Sequence, residues 1–214
     1  MATKVAGEQY HDIDGQLLEI KRQLRQIGGY PFDPVMLQRH LQDAIMGQFI
    51  HGCCQKLILT KTFNPTEFLG KGWTIEEEDP RLLALTEVNP DKFLFETCLK
   101  EGENWITGEE KLARFKEKPD FIPFGADVFL TLWEDYQANK RNSVLEWLFL
   151  SKGVKFMDFF GTVLRSPRGS RDVLYLYRSG GGGWGWCCGW LDGGWDAGDP
   201  SVGCASSPLV SSES

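Results

Sequence analysis

Residues 184–201 run Trp184-Gly185-Trp186-Cys187-Cys188-Gly189-Trp190-Leu191-Asp192-Gly193-Gly194-Trp195-Asp196-Ala197-Gly198-Asp199-Pro200-Ser201. Trp184, Trp186, Cys188 and Trp190 alternate with Gly185, Cys187, Gly189 and Leu191. That period of two predicts a strand with the tryptophans on one face. Asp192-Gly193-Gly194 predicts a turn before Trp195. Tryptophan buries a large apolar area, so these rings are expected as core. The residues between them are unusual, because β-branched or polar side chains ordinarily fill a strand and glycine weakens it. Residues 179–206 hold 10 of the 24 Gly, 4 of the 8 Trp and 3 of the 6 Cys.

Upstream of this tail, Val173, Tyr175 and Tyr177 alternate with Leu174, Leu176 and Arg178, a second strand. Ser166–Ser170 reads as a turn joining it to a strand over Val154–Phe160. Earlier still the period is helical. Thr107 with Glu110, and Ser143 with Glu146, are capping boxes. The first opens a helix carrying Leu112 and Phe115; the second opens one that Gly153 ends. Phe129, Leu132, Trp133 and Tyr136 form another helical stripe. Lys56–Thr60, Leu82–Val88 and Phe93–Leu99 read as short strands, and the acidic run Glu76–Asp79 as a solvated loop. In the first fifty residues Leu17, Ile20, Leu24 and Ile27 form one stripe, ended by Gly28 and Gly29. Asp33 and Pro34 open a second helix with Leu37, Leu41, Ile45 and Phe49. The expected organisation is a helical hairpin over 1–50, packing or making a homo-oligomer contact, and an α/β (α+β) domain over 51–214.

The chain has 214 residues, 42% hydrophobic and 25% charged, with a net charge of −7. It is long enough to bury a core, and its acidic balance argues against nucleic acid and anionic membranes as partners. No apolar run is long enough for a transmembrane helix, and no secretory signal is visible, so a cytoplasmic location is expected. Cys53-Cys54 and Cys187-Cys188 are adjacent pairs, which suits neither a zinc ribbon nor a disulfide framework. His11, His40 and His51 are the only histidines, and His51 stands at no zinc spacing from Cys53 and Cys54. Gly180, Gly182 and Gly185 match G-x-G-x-x-G literally, but a Trp-rich strand follows instead of a helix, so no phosphate site is expected. No catalytic residue, cofactor or metal emerges from the sequence.

An absence sharpens the reading of the tail. Residues 158–212 contain no Lys, Glu, Gln or Met, where the rate over residues 1–157 would give roughly 14; strands are poor in Lys and Glu, but that alone does not reach zero. The pattern Trp184-x-Trp186-x-x-x-Trp190-Leu191-Asp192-x-x-Trp195-x-x-x-x-Pro200-Ser201-x-x-x-Ala205-Ser206 resembles the variable region of proteins diversified by diversity-generating retroelements. The lead-in Gly161–Pro167 and Val173–Tyr177 resembles a group of them in small-genome bacteria. In such systems adenines of a template are randomised. AAC codons then give Gly, Cys, Asp, Ser or Ala, but never Lys, Glu, Gln, Met or Trp. Asn itself is absent from the tail, which would mark a heavily diversified copy.

The resemblance implies a C-type-lectin-like fold with a small twisted antiparallel sheet and two or three helices. It implies a non-enzymatic ligand-binding protein, with no cofactor and a partner that is itself a protein. The ligand-binding variable positions would be Ser179, Gly183, Gly185, Cys187, Cys188, Gly189, Gly193, Gly194, Asp196, Ala197, Gly198 and Asp199. Trp184, Trp186, Trp190, Leu191, Trp195 and Pro200 would be scaffold. Small side chains at the variable positions imply a flat or concave site with few aromatic anchors, and weak binding. Two alternatives remain open: a carbohydrate-binding module using exposed Trp184, Trp186 or Trp190, and an enzyme on a formylglycine-generating scaffold, which would need a reactive thiol pair.

Overall fold

The computed structural model describes residues 8–25, 34–45 and 56–206. They fall into two units, one within Met1–Phe49 and one within Ile50–Ser214. The first holds two helices, α1 (Glu8–Leu24) and α2 (Pro34–Ile45), as their apolar spacing predicts. Leu17 and Leu24 of α1 and Ile45 of α2 are exposed. Ile27, Gly28, Gly29, Asp33, Phe49, His51, Cys53 and Cys54 lie outside the described residues, as does the His40 side chain.

The second unit is a mixed α/β domain. In order it runs β1 (Leu57–Ile58), α3 (Pro65–Phe68), β2 (Thr74–Glu78), β3 (Glu87–Val88), β4 (Leu94–Glu96), β5 (Trp105–Thr107), α4 (Gly108–Lys116), β6 (Phe121–Pro123), α5 (Ala126–Asn139), α6 (Val144–Lys152), β7 (Phe156–Asp158), β8 (Thr162–Arg165), β9 (Arg171–Arg178), β10 (Trp184–Trp190), β11 (Gly194–Asp196) and β12 (Ser201–Ala205). The hydroxyl half of each capping box forms: Thr107 accepts the Glu110 N–H at 3.2 Å and Ser143 the Glu146 N–H at 3.2 Å. Gly153 closes α6 in the left-handed region, at φ 71°, where a side chain would be strained.

The main sheet has eight strands. β9 is its centre. One edge of β9 pairs along its length with β10, from Arg178 opposite Trp184 to Asp172 opposite Trp190. The other edge is shared, with β8 at its start and β7 at its end. β12 joins β7 in parallel and carries β4 and β6. Alternation along β9 and β10 serves two cores. Leu174, Leu176 and Trp184 pack with Phe129, Leu132, Leu145 and Leu148 under α5 and α6. Val173 packs on the other face with Leu112, Phe115, Phe160, Leu191 and Trp195.

Three expectations need correction. Leu82–Val88 is not one strand: a 3-10 turn covers Pro80–Ala84, capped by the Asp79 carboxylate on the Arg81 N–H, and only Glu87–Val88 is extended. Most of the acidic run Glu76–Asp79 is not loop, because Glu76–Glu78 belong to β2 on β8. The Glu76 and Glu77 carboxylates meet Arg165, Arg171 and Lys116, so charge hid the strand. The strand expected over Val154–Phe160 is only β7, and the hairpin partner of β9 is β8, which follows Gly161. A Cβ at Gly161 would sit 2.4 Å from the Pro123 carbonyl, so the chain needs glycine there for close approach.

Lys111 of α4 is wholly buried, and ties several of these elements together. Its ammonium lies 2.9 Å from the Asp158 carboxylate of β7 and donates to the Asp199 carbonyl at 2.6 Å. It also lies 4.9 Å from the Phe160 ring centre and 5.1 Å from that of Trp195. The Ser201 hydroxyl donates to the other Asp158 oxygen. Burial pushes the Asp158 carboxyl up to about 6, against the pull of Lys111 and Ser201. A carboxyl raised by folding holds its proton more tightly in the native state. Its contribution is therefore fully present below the unfolded value near ~3.9 and is lost as the pH rises through about 6. Lys111→Met should cost ~3–5 kcal/mol at pH 7.5 by leaving Asp158 uncompensated. In urea unfolding the loss should shrink at pH 5, where Asp158 takes a proton; an equal loss at both pH values would contradict the pairing.

Candidate ligand-binding surface

The tail forms β10, a turn, β11 and β12, and its scaffold divides into buried and exposed members. Trp184, Leu191 and Trp195 are buried. Trp186 is half-buried, with its ring centre 4.8 Å from that of Phe68 and edge-on to Phe129. The Pro200 carbonyl accepts the Asp158 N–H at 3.1 Å. Trp190 departs from the expected scaffold role: it ends β10 opposite Asp172, joins neither apolar cluster and is 67% exposed.

The outer face of β10 presents Gly185 and Cys187 beside Tyr177 and Tyr175 of β9. Phe156 of β7 lies opposite Tyr177, and its ring stacks on Tyr175 with centres 5.0 Å apart. Burial pushes the Tyr175 phenol up to about 12, so it stays neutral at ordinary pH. Past this shelf a groove of about 300 Å³ opens beside Phe156, Tyr175 and Trp195. Cys188, Gly189 and Trp190 at the end of β10, with Gly193, Gly194 and Asp199, complete its lining. A Cβ on Gly189 would lie 2.8 Å from the Trp195 ring and 3.5 Å from Tyr175, so the groove has its depth because residue 189 has no side chain. Asp199 is set from two sides. Its carbonyl takes the Lys111 ammonium, and its carboxylate accepts the Asp196 N–H at 3.1 Å. Trp105 of β5, 61% exposed, flanks Gly194 through the β5–β11 pairing.

The predicted variable positions thus fall into four places. Gly189, Gly193, Gly194 and Asp199 share the groove, and Gly185 and Cys187 share the shelf. Asp196, Ala197 and Gly198 form an exposed turn, with the Gly198 N–H on the Asp196 carboxylate at 2.6 Å. Ser179 and Gly183 lie at the other end of β10, closing a short loop through the Ser179 N–H on the Gly183 carbonyl. Cys188 also borders the groove, although its side chain packs against the α5–α6 core. Sequence reasoning missed Trp105, Phe156, Tyr175 and Tyr177 as surface residues. They correct the expectation of few aromatic anchors. Only the outward phase of Tyr175 and Tyr177 in β9 could have signalled them.

Adjacent residues of a strand point to opposite faces, so Cys187 faces outward and Cys188 inward. Burial pushes the Cys188 thiol up to about 12 and the Cys98 thiol up to about 11, far from the thiolate that reactivity requires. Among the described residues no group of three His, Cys, Asp or Glu could hold a metal ion, and no helix is long and apolar enough to cross a membrane.

The glycines separate into two kinds. Gly108, Gly161 and Gly203 stand against neighbouring backbone: added Cβ atoms would meet Leu191 Cα at 2.8 Å, the Pro123 carbonyl at 2.4 Å and the Ile122 carbonyl at 2.3 Å. Gly183, Gly185, Gly189, Gly194 and Gly198 meet side chains only, and none has a positive φ. Gly193 has a negative or extended φ too, with the Trp190 carbonyl 3.0 Å from an added Cβ. Comparison with family models, curated proteins and solved structures found no match.

Gly183→Asn and Gly198→Asn should change stability by less than ~1 kcal/mol, as ordinary surface substitutions do. Gly108→Ala and Gly203→Ala should each lower it by ~1–3 kcal/mol through overpacking. Thermal melts of the four variants check this ordering.

Proposed function

We propose that this chain is a non-enzymatic ligand-binding protein of the class diversified by retroelements, with a C-type-lectin-like fold and a variable surface over about 179–206. The observation that supports this most is the character of the tail glycines. A glycine retained for structure sits at positive φ or against backbone, as Gly153 and Gly203 do. At Gly183, Gly194 and Gly198 neither reason applies, so the backbone there tolerates a side chain; at Gly185 and Gly189 the close atoms are ring atoms of Tyr177 and Trp195, at 2.9 and 2.8 Å, which must shift to admit one. The absence of Lys, Glu, Gln and Met from the same stretch agrees with pyrimidine-ending codons. Anchors at Trp184, Leu191 and Trp195 hold the backbone between variable positions, and a preset surface loses little entropy on binding. The raised Cys188 thiol and the opposed directions of Cys187 and Cys188 speak against the formylglycine-generating type of enzyme.

One observation favours a second reading. Exposed Trp190 and Trp105 are the kind of flat rings on which a sugar stacks, as a carbohydrate-binding module would use.

The retroelement reading is tested in DNA. A near-copy of the segment encoding 179–206 should lie beside a reverse-transcriptase gene and differ from it only where the copy carries adenine. Differences spread over all four bases would overturn it. In protein, a library with AAC-derived pyrimidine-ending codons at the predicted outward positions should give mostly folded, soluble variants. The same codons at 108, 161 and 203 should not.

A further inference from the structure

Helix α1 carries an apolar seam that its own chain leaves open. Ile13, Leu17, Ile20 and Leu24 follow one another at intervals of four, three and four residues. That is the a/d repeat of a coiled coil, with Leu17 and Leu24 at a and Ile13 and Ile20 at d. The positions flanking the seam are polar throughout: Asp14 and Lys21 at e, Gln16 and Gln23 at g. A helix that packs on a globular domain ordinarily has a wider stripe, with apolar residues at e or g as well. The narrow seam therefore fits another helix of its own kind. Ile13, Leu17 and Leu24 are 48%, 39% and 47% exposed, and Ile20 is half-buried. Away from the seam the helix satisfies itself, with the Arg22 guanidinium donating to the Glu19 carboxylate at 2.6 Å.

We propose that the seam from Ile13 to Leu24 is a self-association surface, covered by the same seam of further copies of this chain. The proposal goes beyond the reading of the tail and does not rest on it. Charge permits this partner. Asp14 and Lys21 are opposite in sign and Gln16 and Gln23 are uncharged, so copies bring no like charges together across the seam. Helix stability calls for a partner. α1 has 17 residues with Gly15 in its interior. A lone helix of that length is marginal in water, and an interior glycine weakens it further. Each copy brings four large apolar side chains, and burying them against one another supplies what the single helix lacks. The described seam covers under two heptads, so association with Kd of about 1–100 µM is expected.

The test is sedimentation of the full chain over concentrations from ~1 to ~300 µM, which bracket that range. The expected result is a mass that rises with concentration from one chain toward a multiple of it. Leu17→Asp and Ile20→Asp place a charge inside the seam, and each should weaken association at least ~10-fold. Leu18→Asp makes the same change one residue away, at an exposed position off the seam, and should associate like the parent. It carries the same cost to the helix, so a difference between Leu17→Asp and Leu18→Asp reads the seam and not helix loss. A parent that stays monomeric at the highest concentration overturns the proposal, because the seam is then covered within its own chain or by a different protein. Equal loss of association in Leu17→Asp and Leu18→Asp overturns it, and so does an assembly that survives both seam variants.

Discussion

The buried ammonium of Lys111 is the interaction on which the tail depends. Removing a cation and a carboxylate from water is expensive, and the exchange is favourable only when every partner is in place. Here the partners come from β7, through Asp158, from the start of β12, through Ser201, and from the preceding loop, through the Asp199 carbonyl. Phe160 and Trp195 add aromatic rings beside the same charge. A pair this demanding forms in one arrangement of the chain. It therefore sets where residue 199 sits relative to α4 and β7, and with it the far wall of the groove.

The rest of the tail is held by apolar anchors spaced along it. Trp184 and Trp186 fix β10 to the α5–α6 core, while Leu191 and Trp195 fix the turn and β11 to the α4 side. Gly108 allows the second attachment, because a Cβ there would lie 2.6 Å from the Trp195 indole nitrogen. Fastening a strand by tryptophans and main-chain hydrogen bonds leaves its outward side chains without structural duty. That division lets a surface change composition without changing shape.

The elements that local chemistry determines were legible in the sequence. The capping residues Thr107 and Ser143, the Gly153 stop and the alternation of β9 and β10 each have a cause within a few residues. The elements that escaped are set at long range. β2 reads as an acidic loop until Arg165 of β8 and Arg171 of β9 meet its carboxylates, and Gly161 divides an apolar run because Pro123 passes close by. Trp105 enters the candidate site through pairing with Asp196, a contact no short window contains. Trp190 sits in register with Trp184 and Trp186, and the pattern cannot show that the core ends before the strand does. Position in a repeat predicts the face of a side chain; whether anything covers that face is tertiary.

The same contrast distinguishes two kinds of position within the tail. At residues 189, 193 and 194 a side chain would enter a space lined by Phe156, Tyr175 and Trp195, so a change there alters depth, and at 189 it also presses on the Trp195 ring, 2.8 Å from an added Cβ. At residues 196 and 199 a side chain contributes charge and hydrogen bonding at the rim, so a change there alters the chemistry the groove selects. A copy with glycine at the first set and aspartate at the second has a deep, aromatic, acidic groove. A copy with larger residues at 189 or 194 has a shallow one whatever stands at 199. Depth and charge are thus set by separate residues on one backbone. Two of the aromatic residues beside the groove, Phe156 of β7 and Tyr175 of β9, come from strands before the tail, and Trp195 comes from the tail itself. The aromatic lining is therefore shared between the central strands and the tail, and the side chains at 189, 193 and 194 set how much of it stays open.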